Sequence, residues 1–196
     1  MIDNFISNLQ DGIYHVLHFS AYEHILFFTA LVLPYAFKHW KRILLLITIF
    51  SIGHCTTLAL TLYNFINVDN NIISLLALLC ISVVALYNIF TAGKKALHSK
   101  TGLIIIIILF FGLVHGLGFS NEFKALATAS ENTFLNIIEI ALGMGIGIVV
   151  IAFILIFLSF LCQTIFRFSK RDWVMVISSI VLGCLIPMLI QHKLLS

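Results

Sequence analysis

Residues 134–163 read FLNIIEIALGMGIGIVVIAFILIFLSFLCQ, thirty positions in which Glu139 is the sole charge. A helix needs about 20 predominantly apolar residues to cross the hydrocarbon core of a bilayer, and this run exceeds that. Working outward, the same reading applies to 20–37, 42–66, 72–91, 102–120 and 173–191. Lipid offers no partner for backbone N–H and C=O groups, and the runs lack the two-residue alternation of barrel strands, so each is expected to be a helix. The predicted fold class is therefore all-α: a polytopic membrane protein of about six transmembrane helices, with residues 1–196 as a single transmembrane domain. Residues 1–19 mix Asp3, Asn4, Asn8, Gln10 and Asp11 with apolar side chains. They predict an interfacial helix or an extension of the first span, and without a basic leading segment they do not read as a cleaved signal peptide.

Composition agrees, with 61% hydrophobic and 10% charged residues, whereas a soluble domain carries about a quarter charged. The net charge of +3 does not point to nucleic acid, because the cations lie in short loops. Lys38, Lys41 and Arg42 follow the first span, Lys94, Lys95 and Lys100 the third, and Arg167, Lys170 and Arg171 the fifth, while the alternate side receives Lys124 and Lys193. The positive-inside rule then places the three basic loops in the cytoplasm and both termini outside, periplasmic in a bacterial inner membrane. Cys55, Cys80, Cys162 and Cys184 form no CxxC pair and read as small apolar residues, not as a disulfide or thiolate-metal framework. Gly112 and Gly116, and Gly143 and Gly147, have the GxxxG spacing that lets helices approach closely. Internal packing is favoured over a dimer contact.

Histidines carry the chemical interest. His39, His98 and His192 lie at loops or the C-terminal end and are assigned no role. His15, His18, His24, His54 and His115, with Glu23 and Glu139, all fall toward the outer side of the predicted bundle. Ionisable groups facing lipid are costly, so they are expected to face the bundle interior or a wet cavity. His54 shares a polar stripe with Ser51, Thr57 and Thr61. His115 adjoins Gly116, with Gly112 and Phe119 one turn away, so a backbone or small ligand could approach its ring. Glu139 shares a stripe with Asn132, Asn136 and Gly143. A continuous helix would set His24 opposite His15, and a break near Phe19–Ser20–Ala21 would let them converge. Imidazoles with a carboxylate suit nickel, cobalt, zinc or iron, and the lack of a thiolate cluster argues against copper(I). The expected metal set is His15, His18, Glu23, His24, His54, His115 and Glu139. Each has a bland alternative: His15 and His18 in the headgroup region, Glu23 bonded to His24, His54 and His115 in interhelical hydrogen bonds, Glu139 capping its helix.

Five strings taken together, HVLHFSAYEHILF from His15, FSIGHCTTLAL from Phe50, LYNIFTAGK from Leu86, FFGLVHGLGFSNEFK from Phe110 and QTIFRFSKRDW from Gln163, resemble the HupE/UreJ family of hydrogenase and urease accessory membrane proteins, in its Bacteroidetes-type form. The resemblance implies a bundle whose histidines bind nickel, with nickel or cobalt transport proposed for some members. It carries over to His15, His24, His54 and His115. Glu23 stands where the family usually has Asp, and His18 where relatives often have Asp. After Glu139 the family pattern is like GVELGQ, but this chain reads Gly143-Met144-Gly145-Ile146-Gly147-Ile148, without the acidic and amide groups.

Four readings follow. The first is a metal-binding membrane protein, in the limit a nickel or cobalt permease, although no matching polar series is expected in the cytoplasmic halves of the helices. The second is an outward-facing intramembrane metalloenzyme, with zinc or iron on three histidines and Glu23 or Glu139 as general base. The third is a scaffold or subunit of a membrane complex, with haem between helices a weaker fourth. The expected partners are the lipid bilayer and a metal ion, with a homo-oligomer or membrane complex left open.

Overall fold

The structure is a computed structural model that describes residues 2–18, 22–93, 101–127 and 133–194. Among the described residues seven α-helices follow one another: α1 (Ile2–Leu17), α2 (Tyr22–Val32), α3 (Trp40–Leu62), α4 (Asn70–Thr91), α5 (Thr101–Ala127), α6 (Thr133–Thr164) and α7 (Lys170–Ile190), with a 3-10 turn at Phe37–His39 before α3. The described residues contain no strand. The chain is an all-helical, multi-pass membrane protein. Among the described residues five stretches are long and apolar enough to cross a membrane: Phe37–Leu62, Asn70–Thr91, Gly102–Ser120, Phe134–Thr164 and Lys170–Ile190.

The remaining crossing is made differently. α2 has 11 residues, about 16 Å of helix and too short to span alone. α1 and α2 instead lie in succession along α6, whose 32 residues extend about 48 Å. The break expected at Phe19–Ser20–Ala21 lies outside the described residues; the helices on either side of it end at Leu17 and begin at Tyr22. α1 is amphipathic, and its small-residue face meets α6 directly. A Cβ added to Gly12 would collide with the carbonyl oxygen of Ile140, and one added to Gly143 with that of Leu9. Asn8 fastens the contact by donating from Nδ2 to Oε2 of Glu139 at 2.6 Å and to Oδ1 of Asn136 at 3.1 Å.

α3 and α5 run parallel and are equally close. Gly112 faces the Phe50 carbonyl and Gly116 the His54 carbonyl, with no room for a Cβ at either place. Thr57 Oγ1 donates across the contact to the Leu113 carbonyl at 2.8 Å. The GxxxG glycines are thus engaged in contacts within one chain, as small residues at close helix crossings are.

At the end of the bundle bearing Lys38, Lys41, Arg42 and Lys170, polar side chains complete backbone bonding. Pro34 has no N–H to give to the Ala30 carbonyl one turn back, and Asn88 Nδ2 donates to that oxygen at 2.6 Å. Lys170 Nζ donates to the Tyr35 carbonyl at 2.8 Å and to Ser159 Oγ at 3.2 Å. Gln163 Nε2 donates to that same hydroxyl at 2.7 Å. Polar groups do stand in these helix halves, and each one described here closes a local hydrogen bond.

Candidate metal centre

Three helices deliver three imidazoles to one point. His15 comes from the last turn of α1, His24 from the first turn of α2 and His115 from the middle of α5. Their ring centroids are 4.9 Å apart for His15 and His24, 3.9 Å for His24 and His115, and 5.9 Å for His15 and His115. One ring nitrogen from each lies within 4.8 Å of the others. Metal–imidazole bonds of about 2.0–2.1 Å put two nitrogens on one ion about 3.3–4.2 Å apart. The rings must draw inward from that limit to share one ion, and neutral nitrogen donors suit a borderline divalent ion.

His54 stands directly behind this group, its ring 5.8 Å from that of His115 and tilted by 27°. It is 1% exposed. Neither His54 nitrogen, nor Nε2 of His115, has a hydrogen-bond partner among the described residues. Burying a polar atom without a partner is unfavourable by a few kcal/mol, and here three such atoms on two neighbouring imidazoles have the capacity to bind a ligand. The expected structural alternative, interhelical hydrogen bonds satisfying His54 and His115, does not describe these three atoms.

Glu23 is half-buried and lines a pocket of about 200 Å³ together with His15, His115, Asn70 and Ser74. The apolar part of the wall is Ile73, Ala77 and Phe119. Glu139 is elsewhere, bonded to Asn8 on the α1–α6 contact. His18 is exposed, with its ring 4.7 Å from that of Tyr14. The histidines assigned no role have local partners where described: His39 Nδ1 accepts from the Ala36 N–H at 3.1 Å, and His192 Nε2 lies 2.7 Å from Ser74 Oγ. His98 lies outside the described residues.

Toward the basic end, the imidazoles rest on phenylalanines. Phe27 stacks on Phe111 at 3.6 Å, Phe28 meets Phe50 edge-on at 5.0 Å, and all four are fully buried. Below the histidines the axis of the bundle is filled with aromatic carbon.

A family model described as HupE / UreJ protein matches residues 1–192, nearly the whole chain. The chain belongs to the HupE/UreJ family. No curated protein and no solved structure matches it. For a HupE/UreJ protein of this sequence, the departure after Glu139 has a packing consequence. Gly143 lies against the α1 backbone and Gly147 against Val16, while Met144 and Ile148 are buried. At Gly145, where the GVELGQ-like pattern has its acid, a Cβ would meet no atom within 4 Å. Sequence reading alone missed Asn8, which sits one helical turn from Gly12 on the packing face of α1, and Asn88, whose need is signalled only by Pro34 on a different helix.

Proposed function

We propose that this HupE/UreJ protein captures a divalent transition metal ion from the periplasmic side of a bacterial inner membrane, with His15, His24 and His115 as ligands and His54 as a further donor behind them. The convergence of three imidazoles from three helices, with ligand atoms within 4.8 Å, carries this reading. The orientation rests on Lys38, Lys41, Arg42, Arg167, Lys170 and Arg171 lying at the opposite end from the histidines. Nickel or cobalt is the ion the family suggests, and the same donors accept zinc or iron. A permease role needs the Phe27, Phe28, Phe50 and Phe111 layer to part, because an ion cannot cross packed aromatic carbon.

Elemental analysis of chain purified without added metal tests the capture reading. About one ion per chain is expected for a mononuclear centre, falling to background in His24→Ala and His115→Ala variants that remain folded. A metal-free parent chain, folded and with stable variants, would instead favour the scaffold reading. Metal-dependent uptake into reconstituted vesicles would add transport.

The position of Glu23 on the same pocket wall as His15 and His115 favours one alternative, a metalloenzyme. Three protein ligands leave a coordination position open, and Glu23 is the carboxylate placed to hold a proton beside it. Azide added to the cobalt-loaded chain discriminates: a changed visible spectrum indicates an open position, and an unchanged one a closed centre with His54 as fourth ligand.

A further inference from the structure

A second cavity, of about 310 Å³, lies beside the histidine pocket, and the two share one wall residue, Asn70. Its polar lining is Thr61, Asn64, Asn67, Asn70 and Ser120, and the rest of the wall is aliphatic. Leu117 and Ser120 of α5 face this cavity while Gly118 and Phe119 face the histidine pocket. The two spaces therefore flank one helical turn of α5, next to His115.

The donors of the two spaces differ in kind. The outer cavity offers hydroxyls and carboxamides, uncharged oxygen ligands suited to a hard or still-hydrated cation, and the inner pocket offers imidazoles. Six water molecules at about 30 Å³ each need roughly 180 Å³, which the outer cavity holds, whereas binding to nitrogens within 4.8 Å of one another requires the ion to exchange waters for imidazole. A carboxylate in the outer lining would trap a divalent ion, and none is present among its residues. Weak, multiple oxygen contacts let an ion enter and leave. Asp69 is exposed next to Asn70 and caps α4, accepting from the Asn71 N–H at 2.7 Å. Its charge offsets the positive end of that helix at the cavity mouth.

We infer that the Thr61–Asn64–Asn67–Asn70–Ser120 cavity is an antechamber that holds the incoming hydrated divalent cation and passes it, across Asn70, to the histidine centre. The inference rests on the proposed metal capture by His15, His24 and His115. Selection is divided between the two spaces: the antechamber accepts divalent ions without distinguishing among them, and the imidazoles choose.

Stopped-flow mixing of the full chain in detergent with Co²⁺, following the visible band that appears when imidazole binds cobalt, separates arrival from affinity. Asn67→Leu and Asn70→Leu each remove oxygen contacts from the route, and each is expected to slow association by up to about tenfold, the equivalent of one net hydrogen bond. In Asn67→Leu, which lines the outer cavity and not the histidine pocket, dissociation slows in parallel, leaving the equilibrium constant within about twofold, because a blocked route affects both directions equally. Asn64 is unsuitable as a probe: its φ of 58° is a left-handed conformation that asparagine tolerates and most residues do not. Association unchanged in both leucine variants overturns the antechamber, as does an equilibrium constant of Asn67→Leu that weakens in step with the rate. Absence of a cobalt spectrum in the parent chain overturns the capture reading, and the antechamber with it.

Discussion

The two ends of the bundle use most of their polar side chains differently. At the basic end, Asn88, Lys170 and Gln163 each donate to an oxygen that the helices expose there. At the histidine end, both nitrogens of His54 and Nε2 of His115 are buried without such a partner. Buried polar groups are normally hydrogen-bonded; Trp173 Nε1 at the basic end is an isolated exception, whereas at the histidine end the unpartnered atoms are gathered on two neighbouring imidazoles. A polar residue in a membrane helix thus indicates function only when its bonding capacity is left over.

The comparison is open to direct attack. The largest effect is expected from Gly116→Leu, which drives a side chain into the His54 carbonyl and Thr57 Oγ1. Overpacking of this kind costs on the order of 3 kcal/mol or more, and both folded yield and metal content should collapse together. Asn88→Leu comes next. It strands the Ala30 carbonyl, and thermal unfolding in detergent should register a loss of about 1–3 kcal/mol while metal stoichiometry is unchanged. His54→Phe should behave in the reverse manner, stabilising the metal-free chain by about 1 kcal/mol through removal of a buried unpaired polar group while weakening metal binding. If it destabilises the apo chain as Asn88→Leu does, the contrast between the two ends fails. Smallest is Glu139→Gln, which keeps an acceptor for Asn8 but removes its charge; a loss of about 1 kcal/mol or less is expected, with metal content preserved. Loss of metal in that variant would return Glu139 to the ligand set.

Much of this was legible in the sequence for a simple reason: lipid permits few structures, so apolar length reports helices almost directly. The same constraint made His15, His24, His54 and His115 conspicuous, since imidazoles in apolar helices need a reason to be there. What the sequence left open was set by pairing between distant helices. Nothing local to Glu139 reveals that Asn8, 131 positions away, takes its carboxylate. Nothing local to Asn88 reveals Pro34. The 20–37 apolar run reads as one uninterrupted span, because hydropathy sums side chains and does not register that the helix inside it is only Tyr22–Val32. His18, three positions after His15, shares its helix face on paper, yet the chain leaves α1 at Leu17 and His18 is exposed.

The parallel contact of α3 and α5 has a consequence for how the centre would evolve. His54 and His115 are held at their separation by the backbone of one helix lying on the backbone of the other, at Gly53, Gly112 and Gly116. Side chains can change rotamer to relieve crowding, but main chains in mutual contact have nothing to yield. A single added methyl group at Gly112 or Gly116 would therefore act as a wedge, prying two imidazoles apart while leaving every ligand in the sequence intact. In this chain the spacing of the donors is written in atoms that are missing.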